Sequence, residues 1–359
     1  MSRAPAASSV LYYGTVKVGL VHDPVYLEHD TGAHVENAGR LRAIMELLTA
    51  QEILPRLVSL APRKATVEEV ALAHAPEHIR RVEAMCRQGG GWLDSDTVVS
   101  PRSYEVALYA VGGVLRGLEA LVKGEVQAAF CLVRPPGHHA SFWRAAGFCL
   151  FNNIAIAAKY ALKEGWARKV LIVDYDVHHG NGTQDTFYTE PSVLFFSTHQ
   201  SPLYPGTGSL EETGEREGRG SSINVPLPPG CGDEEVLQAY RQVLVPAARR
   251  FRPELLLVSA GYDGHWRDPI SGMRLSVRGF ARIASTIQDL ARELCPGRLL
   301  FTLEGGYDPQ ALAHSVAATL RVLLGEREPP DPLGLPPPMP RPDIAGLLSM
   351  VKARHGLKE

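Results

Sequence analysis

Five cysteines, Cys86, Cys131, Cys149, Cys231 and Cys295, are all that the 359 residues contain, and no two of them form a CxxC pair. An odd, scattered set in a chain of this length argues against a disulfide framework or a thiolate metal site. Reduced thiols in the cytoplasm are the expectation. Long hydrophobic runs are missing too. No window approaches the roughly 18 apolar residues that cross a bilayer, and the opening "MSRAPAASSV" has no apolar signal core. Neither sign of charge dominates: 37 Lys and Arg face 39 Asp and Glu, a net charge of −2, which argues against a polyanion binder such as a nucleic-acid protein. No GxGxxG follows the first strand and no GK[ST] occurs, so a nucleotide loop is unsupported; without GxSxG, a serine acyl-enzyme is a poor rival. The hydrophobic share of 45% is ample for a large core, in one big α/β domain or two ordinary ones.

What is present alternates. Apolar, β-branched runs read as buried strands at Ala128–Val133, Lys169–Asp174, Val193–Thr198, Glu254–Ala260 and Arg298–Glu304. Amphipathic stretches separate them: "SYEVALYAVGGVLRGLEALVKG", "NNIAIAAKYALKEGW", "DEEVLQAYRQVLVPAARRF" and "SVRGFARIASTIQDLARELC". Continuous apolar strands between helices mean a parallel sheet covered on both faces. The chain divides into a leader, 1–13, a main domain, 14–325, and a tail, 326–359. In that tail "EREPPDPLGLPPPMPRPD" is too proline-dense for regular structure and precedes a short helix.

Ligands of open parallel sheets bind where the strands end at their carboxyl side. Behind the first of these runs stands "RPPGHHA" with His138 and His139; behind the second, Asp174, Asp176, His178 and His179; behind the fourth, Asp263; behind the fifth, Tyr307. Any one has a bland explanation, since a lone Asp or His is more often structural. The convergence carries the signal. Asp176 and His178, two apart on extended chain, point to one side. With Asp263 they make a three-ligand O/N site of the kind that holds catalytic zinc with one position open, although two carboxylates and an imidazole also suit Fe(II). His138 and His139 have ordinary pKa values suited to proton transfer, Asp174 and Asn181 are at hand to orient them, and Tyr307 can donate to an oxyanion. His179 points the other way and reads as structural. His265 and Trp266 are expected at the pocket rim.

Taken together, "RPPGHHA", "GFCLFNNIAIAA", "VDYDVHHGNGTQ", "YPGTG", "SAGYDGHWRDP" and "LEGGY" make the chain resemble the histone deacetylase superfamily on its bacterial class II-like side, from about Val16 to Leu324. The resemblance implies a single arginase/deacetylase-like α/β domain, with a central parallel sheet and the active site at the C-terminal strand ends. It implies Asp176, His178 and Asp263 as zinc ligands, and His138 and His139 as the catalytic pair, oriented by Asp174 and Asn181. It makes Tyr307 the oxyanion tyrosine, Phe148 and Tyr204 the tunnel walls, and the Gly147 carbonyl an acceptor for the substrate N–H. Arg40 resembles the arginine near the acetate exit. A potassium ion would lie on Asp174 and Ser197.

Two departures colour the expectation. Asn181 stands where many class I relatives have Asp, and Ile270 stands where polyamine-specific relatives carry an acidic gatekeeper. The implied activity is zinc-dependent removal of an acyl group from an acyl-lysine or lysine-like amine. Alternatives are an amidohydrolase for acetylpolyamines or other small acylated amines, a non-catalytic acyl-lysine reader, and a two-metal arginase-like hydrolase. No nucleic-acid or membrane partner is expected, and a homo-oligomer stays open.

Overall fold

The computed structural model describes residues 16–295 and 297–357; the leader expected over 1–13 lies outside them. Among the described residues ten strands are formed: β1 (Val18–Val21), β2 (Val58–Leu60), β3 (Gly91–Trp92), β4 (Val98–Val99), β5 (Ala128–Cys131), β6 (Val170–Asp174), β7 (Val193–Gln200), β8 (Ser222–Leu227), β9 (Leu255–Ala260) and β10 (Leu299–Leu303). Eight make one sheet in the order β2-β1-β5-β10-β9-β6-β7-β8, every neighbouring pair parallel. β3 and β4 form a separate antiparallel ribbon.

The five apolar runs are β5, β6, β7, β9 and β10, with β5 ending two residues early. β5, β6, β9 and β10 are buried along their whole length, as strands covered on both faces must be. Helices Ser103–Val122 and Asn153–Lys163 pack together on one group of strands; Gly39–Ala50, Val277–Leu294 and Pro309–Leu323 form a second packed group. The long helix lies close to the sheet: a Cβ at Gly117 would meet Cys131 Sγ of β5 at 2.9 Å. The helix expected over 233–251 is interrupted by a π-helical turn, Tyr240–Leu244, just before Pro246. Proline supplies no N–H to the ladder, so the hydrogen bonding shifts there. Residues 326–343 form no helix or strand, and Ile344, Leu348 and Val351 bury the helix Ala345–Arg354 against the body. No described helix is long and apolar enough to cross a membrane.

The strand order places the site. β6 continues outward to β7 and β8, whereas β9 returns to the other flank of β6, so a crevice opens at the carboxyl ends of β6 and β9.

Several histidines belong to the framework. Burial lowers His29 to about 4, His74 to about 3 and His265 to about 4. Their folded pKa values lie below 6.5, so the unfolded chain binds more protons once the pH falls below 6.5. Their contribution is complete above pH 6.5 and is lost as the pH drops toward 4, by about 1.4 kcal/mol per pH unit for each histidine. The urea midpoint should therefore fall between pH 6.5 and 4.5, and His265→Gln should flatten that slope. A midpoint independent of pH over this range would contradict the assignment.

Candidate active site

β6 ends at Asp174, and irregular chain leads to the helix Asn181–Phe187. On this stretch Asp176 and His178 turn to the same side, and Asp263 comes beside them three residues after β9. All three are buried, with ligand atoms within 4.8 Å of one another. His178 Nδ1 lies 3.1 Å from Asp176 Oδ1 and 3.2 Å from Asp263 Oδ2. Backbone amides satisfy part of the carboxylates: Gly305 N donates to Asp176 Oδ2 at 2.8 Å and Val177 N to Asp263 Oδ1 at 2.9 Å. Asp263 Oδ2 receives no well-aligned hydrogen bond. A buried anionic oxygen without a donor is costly, and a divalent cation would relieve it. Space is kept for one, because a Cβ at Gly305 would fall 2.1 Å from Asp263 Oδ2 and 2.6 Å from Asp176 Oδ2. The donor set and its orphaned oxygen fit a metal ion.

The two histidines after β5 stand next to this group, their ring centroids 4.0 Å apart. His138 Nδ1 donates to Asp174 Oδ2 at 3.0 Å, and His139 Nδ1 to Asn181 Oδ1 at 2.7 Å. The difference in partner separates them electrically. Burial disfavours the charge on His138, but the Asp174 and Asp176 carboxylates outweigh it and raise the ring to about 10. His139 has an amide partner only, so burial and the neighbouring His138 and His178 charges hold it well below 6.5. The pair is thus split, with the charged form favoured on His138 and the neutral form on His139.

Tyr307 follows β10 across Gly305 and Gly306. Its ring lies edge-on to Phe148, with centroids 5.8 Å apart, and the Arg40 guanidinium sits 4.9 Å above it. Burial raises its phenol well above 10, so the hydroxyl keeps its proton and can donate it. Arg40 Nε donates to Gly306 O at 2.7 Å and Arg40 Nη2 to Glu304 O at 2.5 Å.

Phe148 adopts a left-handed φ of 70°, a costly backbone state for a bulky residue, fixed in part by its N–H donating to Thr97 Oγ1. Tyr204 packs its ring 5.0 Å from His139 and 6.3 Å from His178 and stays partly exposed. The Gly147 carbonyl already accepts the Cys149 thiol at 3.3 Å. Ile270 is half-buried on the Asp263 loop. Ser197 lies opposite Asp174 in the β6–β7 register, its Oγ 2.9 Å from His199 Nδ1.

One expectation is corrected. His265 is not at a rim: it is fully buried, its ring stacks on Phe280, and its Nδ1 accepts from Arg267 N. Trp266 is only half-buried. His179 is held between Thr207 and Gln184. Three buried acids stand near the site without having been singled out. Glu304 accepts from Gly137 N and His138 N, Glu36 pairs with both Arg40 and Arg134, and Asp268 accepts from Tyr307 N.

The parallel sheet thus carries a metal-fit cradle, a split histidine pair and a buried tyrosine at its carboxyl edge. The chain belongs to the histone deacetylase family, matching the family model "Histone deacetylase domain" over residues 34–323. It is 40% identical over 311 residues to a probable deacetylase of Archaeoglobus fulgidus, covering 86% of each chain. It is 39% identical to the chloroplastic histone deacetylase 10 of Oryza sativa, covering 83% of this chain and 71% of that one. The crystal structure of the HDA15 HD domain superposes with a TM-score of 0.85 at 34% identity, over 96% of this chain and 94% of that one.

If the cradle holds a divalent ion, Zn²⁺ at about 100 times its Kd should stabilise the fold by about 2.7 kcal/mol, read as a rise in Tm. Asp263→Ala should abolish that rise and leave little metal on the purified protein. Undiminished zinc in the variant would remove Asp263 from the ligand set.

Proposed function

We propose that the protein is a zinc-dependent amidohydrolase that removes an acyl group, acetyl in the first instance, from an acyl-lysine or lysine-like amine. The observation that carries this reading is the buried Asp176–His178–Asp263 group with the Asn181-bound His139 beside it and Tyr307 on the loop after β10. When bound there, a zinc ion would supply Lewis acidity to water and to the amide carbonyl.

The chain's own groups do the rest. His139 takes the proton from the attacking water at Nε2 and returns it to the leaving amine. His138, kept cationic by Asp174, contributes a positive field to the developing oxyanion, and Tyr307 donates its hydroxyl to the same oxygen. Phe148 and Tyr204 pass a thin aminoalkyl chain between their rings, and the Gly147 carbonyl takes the substrate N–H with its second lone pair. A structural potassium ion on Asp174 and Ser197 is supported by their facing positions across β6 and β7. The five buried free cysteines fit a reducing compartment, and the cytoplasm is our assignment.

Ile270, carrying no charge to attract a second ammonium, favours acyl-lysine over acetylpolyamines. A panel of metal-loaded protein with an acetyl-lysine peptide and acetylated diamines decides between them. The peptide should show the higher kcat/KM, and the reverse order would transfer the assignment to small amines. Tyr307→Phe should lower kcat by about 10²- to 10³-fold with metal content retained. Unchanged turnover in that variant would remove the tyrosine from the mechanism.

A further inference from the structure

We infer that Asp268 is a positioning residue that sets the Tyr307 hydroxyl for oxyanion stabilisation by gripping the backbone of the tyrosine loop. The inference rests on the reading of Tyr307 given above. Tyr307 follows two glycines, and Gly306 has a φ of 119°, a region that side chains other than glycine rarely allow. The chain entering the tyrosine is therefore intrinsically loose, and something outside it must fix the tyrosine backbone. Asp268 does this from another loop. Its Oδ2 accepts the Tyr307 N–H at 2.6 Å and the Asp308 N–H at 3.3 Å, so the same oxygen holds two consecutive amides at the start of the helix Pro309–Leu323. Its second oxygen, Oδ1, accepts the Ile270 N–H at 3.2 Å.

One carboxylate thus ties the tyrosine loop to the loop that carries Asp263 and Ile270. The side chain is nearly buried, at 7% exposure, so water is a poor substitute for these acceptors. An ion pair between Arg267 and Asp308, at 3.4 Å, joins the same two loops again. Asn in place of Asp268 would keep the shape but offers one acceptor oxygen where the site uses two, so either the Tyr307 or the Ile270 contact must be lost. Tyr307 would still be present, with its hydroxyl displaced. A displacement of about 1 Å at a reacting centre costs on the order of 10²-fold in rate.

The experiment is a double-mutant cycle on zinc-loaded, full-length protein with an acetyl-lysine peptide, using Asp268→Asn, Tyr307→Phe and the combined variant. Asp268→Asn should lower kcat by about 10- to 100-fold, with KM within about threefold and zinc content unchanged. In the Tyr307→Phe background the same substitution should cost less than about threefold, because the hydroxyl it positions is already gone. A loss that multiplies fully in both backgrounds would make Asp268 a general structural element and overturn the inference. Equal activity of Asp268→Asn and the parent would overturn it as well. A Tyr307→Phe variant as active as the parent would instead defeat the reading of the tyrosine itself, which separates the two failures. If Asp268→Asn does not fold, Asp268→Glu, which keeps both oxygens but shifts them by one methylene, takes its place in the cycle. Should neither variant fold, the carboxylate belongs to the fold and the assignment falls.

Discussion

Two carboxylates buried side by side with a single imidazole between them set the terms for everything around them. Charge in a dry interior is tolerable only when it is paired or bound. At Asp176 and Asp263 three of the four oxygens are met by neighbouring groups and one is left without a donor. The surroundings follow from that demand. Glycine stands wherever a side chain would crowd the oxygens, and amides from Val177 and Gly305 are turned inward. The same concentration of negative charge favours the protonated form of His138, while Asn181, an amide that adds no charge, leaves burial to keep His139 neutral.

A second set of buried charges fastens the loops that bring these groups together. Arg134, on the loop after β5, makes two contacts to Glu36 in the first third of the chain, and Glu36 also meets Arg40. Arg40 in turn donates to two carbonyls of the glycine loop after β10. Each guanidinium uses its fork of donors on partners that are themselves buried, the setting in which arginine outperforms lysine. The tyrosine, the histidine pair and the chain before the first long helix are thereby fixed to one another without passing through the sheet.

Much of this was legible in the sequence, for identifiable reasons. The long strands announced themselves because a strand covered on both faces must be apolar throughout, as "VLIVD" and "LLLVSA" are. β1, with four residues, and β2, with three, are too short to show a pattern, and β8 is masked by Ser222, Asn224 and Pro226. The grouping of Asp176, His178 and Asp263 could be foreseen because each follows an apolar run directly. Asp268 could not: an Asp before Pro reads as ordinary turn chemistry, and its partner Tyr307 is 39 residues away. Glu36 and Arg134, 98 residues apart, are invisible as a pair for the same reason. His265 misled because it sits next to a pocket-bearing motif while its ring belongs to the core.

The place of β10 has a consequence for how the molecule comes into being. It is the last strand among the described residues, yet it sits in the middle of the sheet between β5 and β9. Until it arrives, a growing polypeptide can assemble only two half-sheets, each presenting a raw inner edge. Such edges invite pairing with other chains, and joining them requires contacts between segments far apart in sequence, which form slowly. The two halves can therefore be zipped together only once β10 has been made, and until then the inner edges of β5 and β9 stay open.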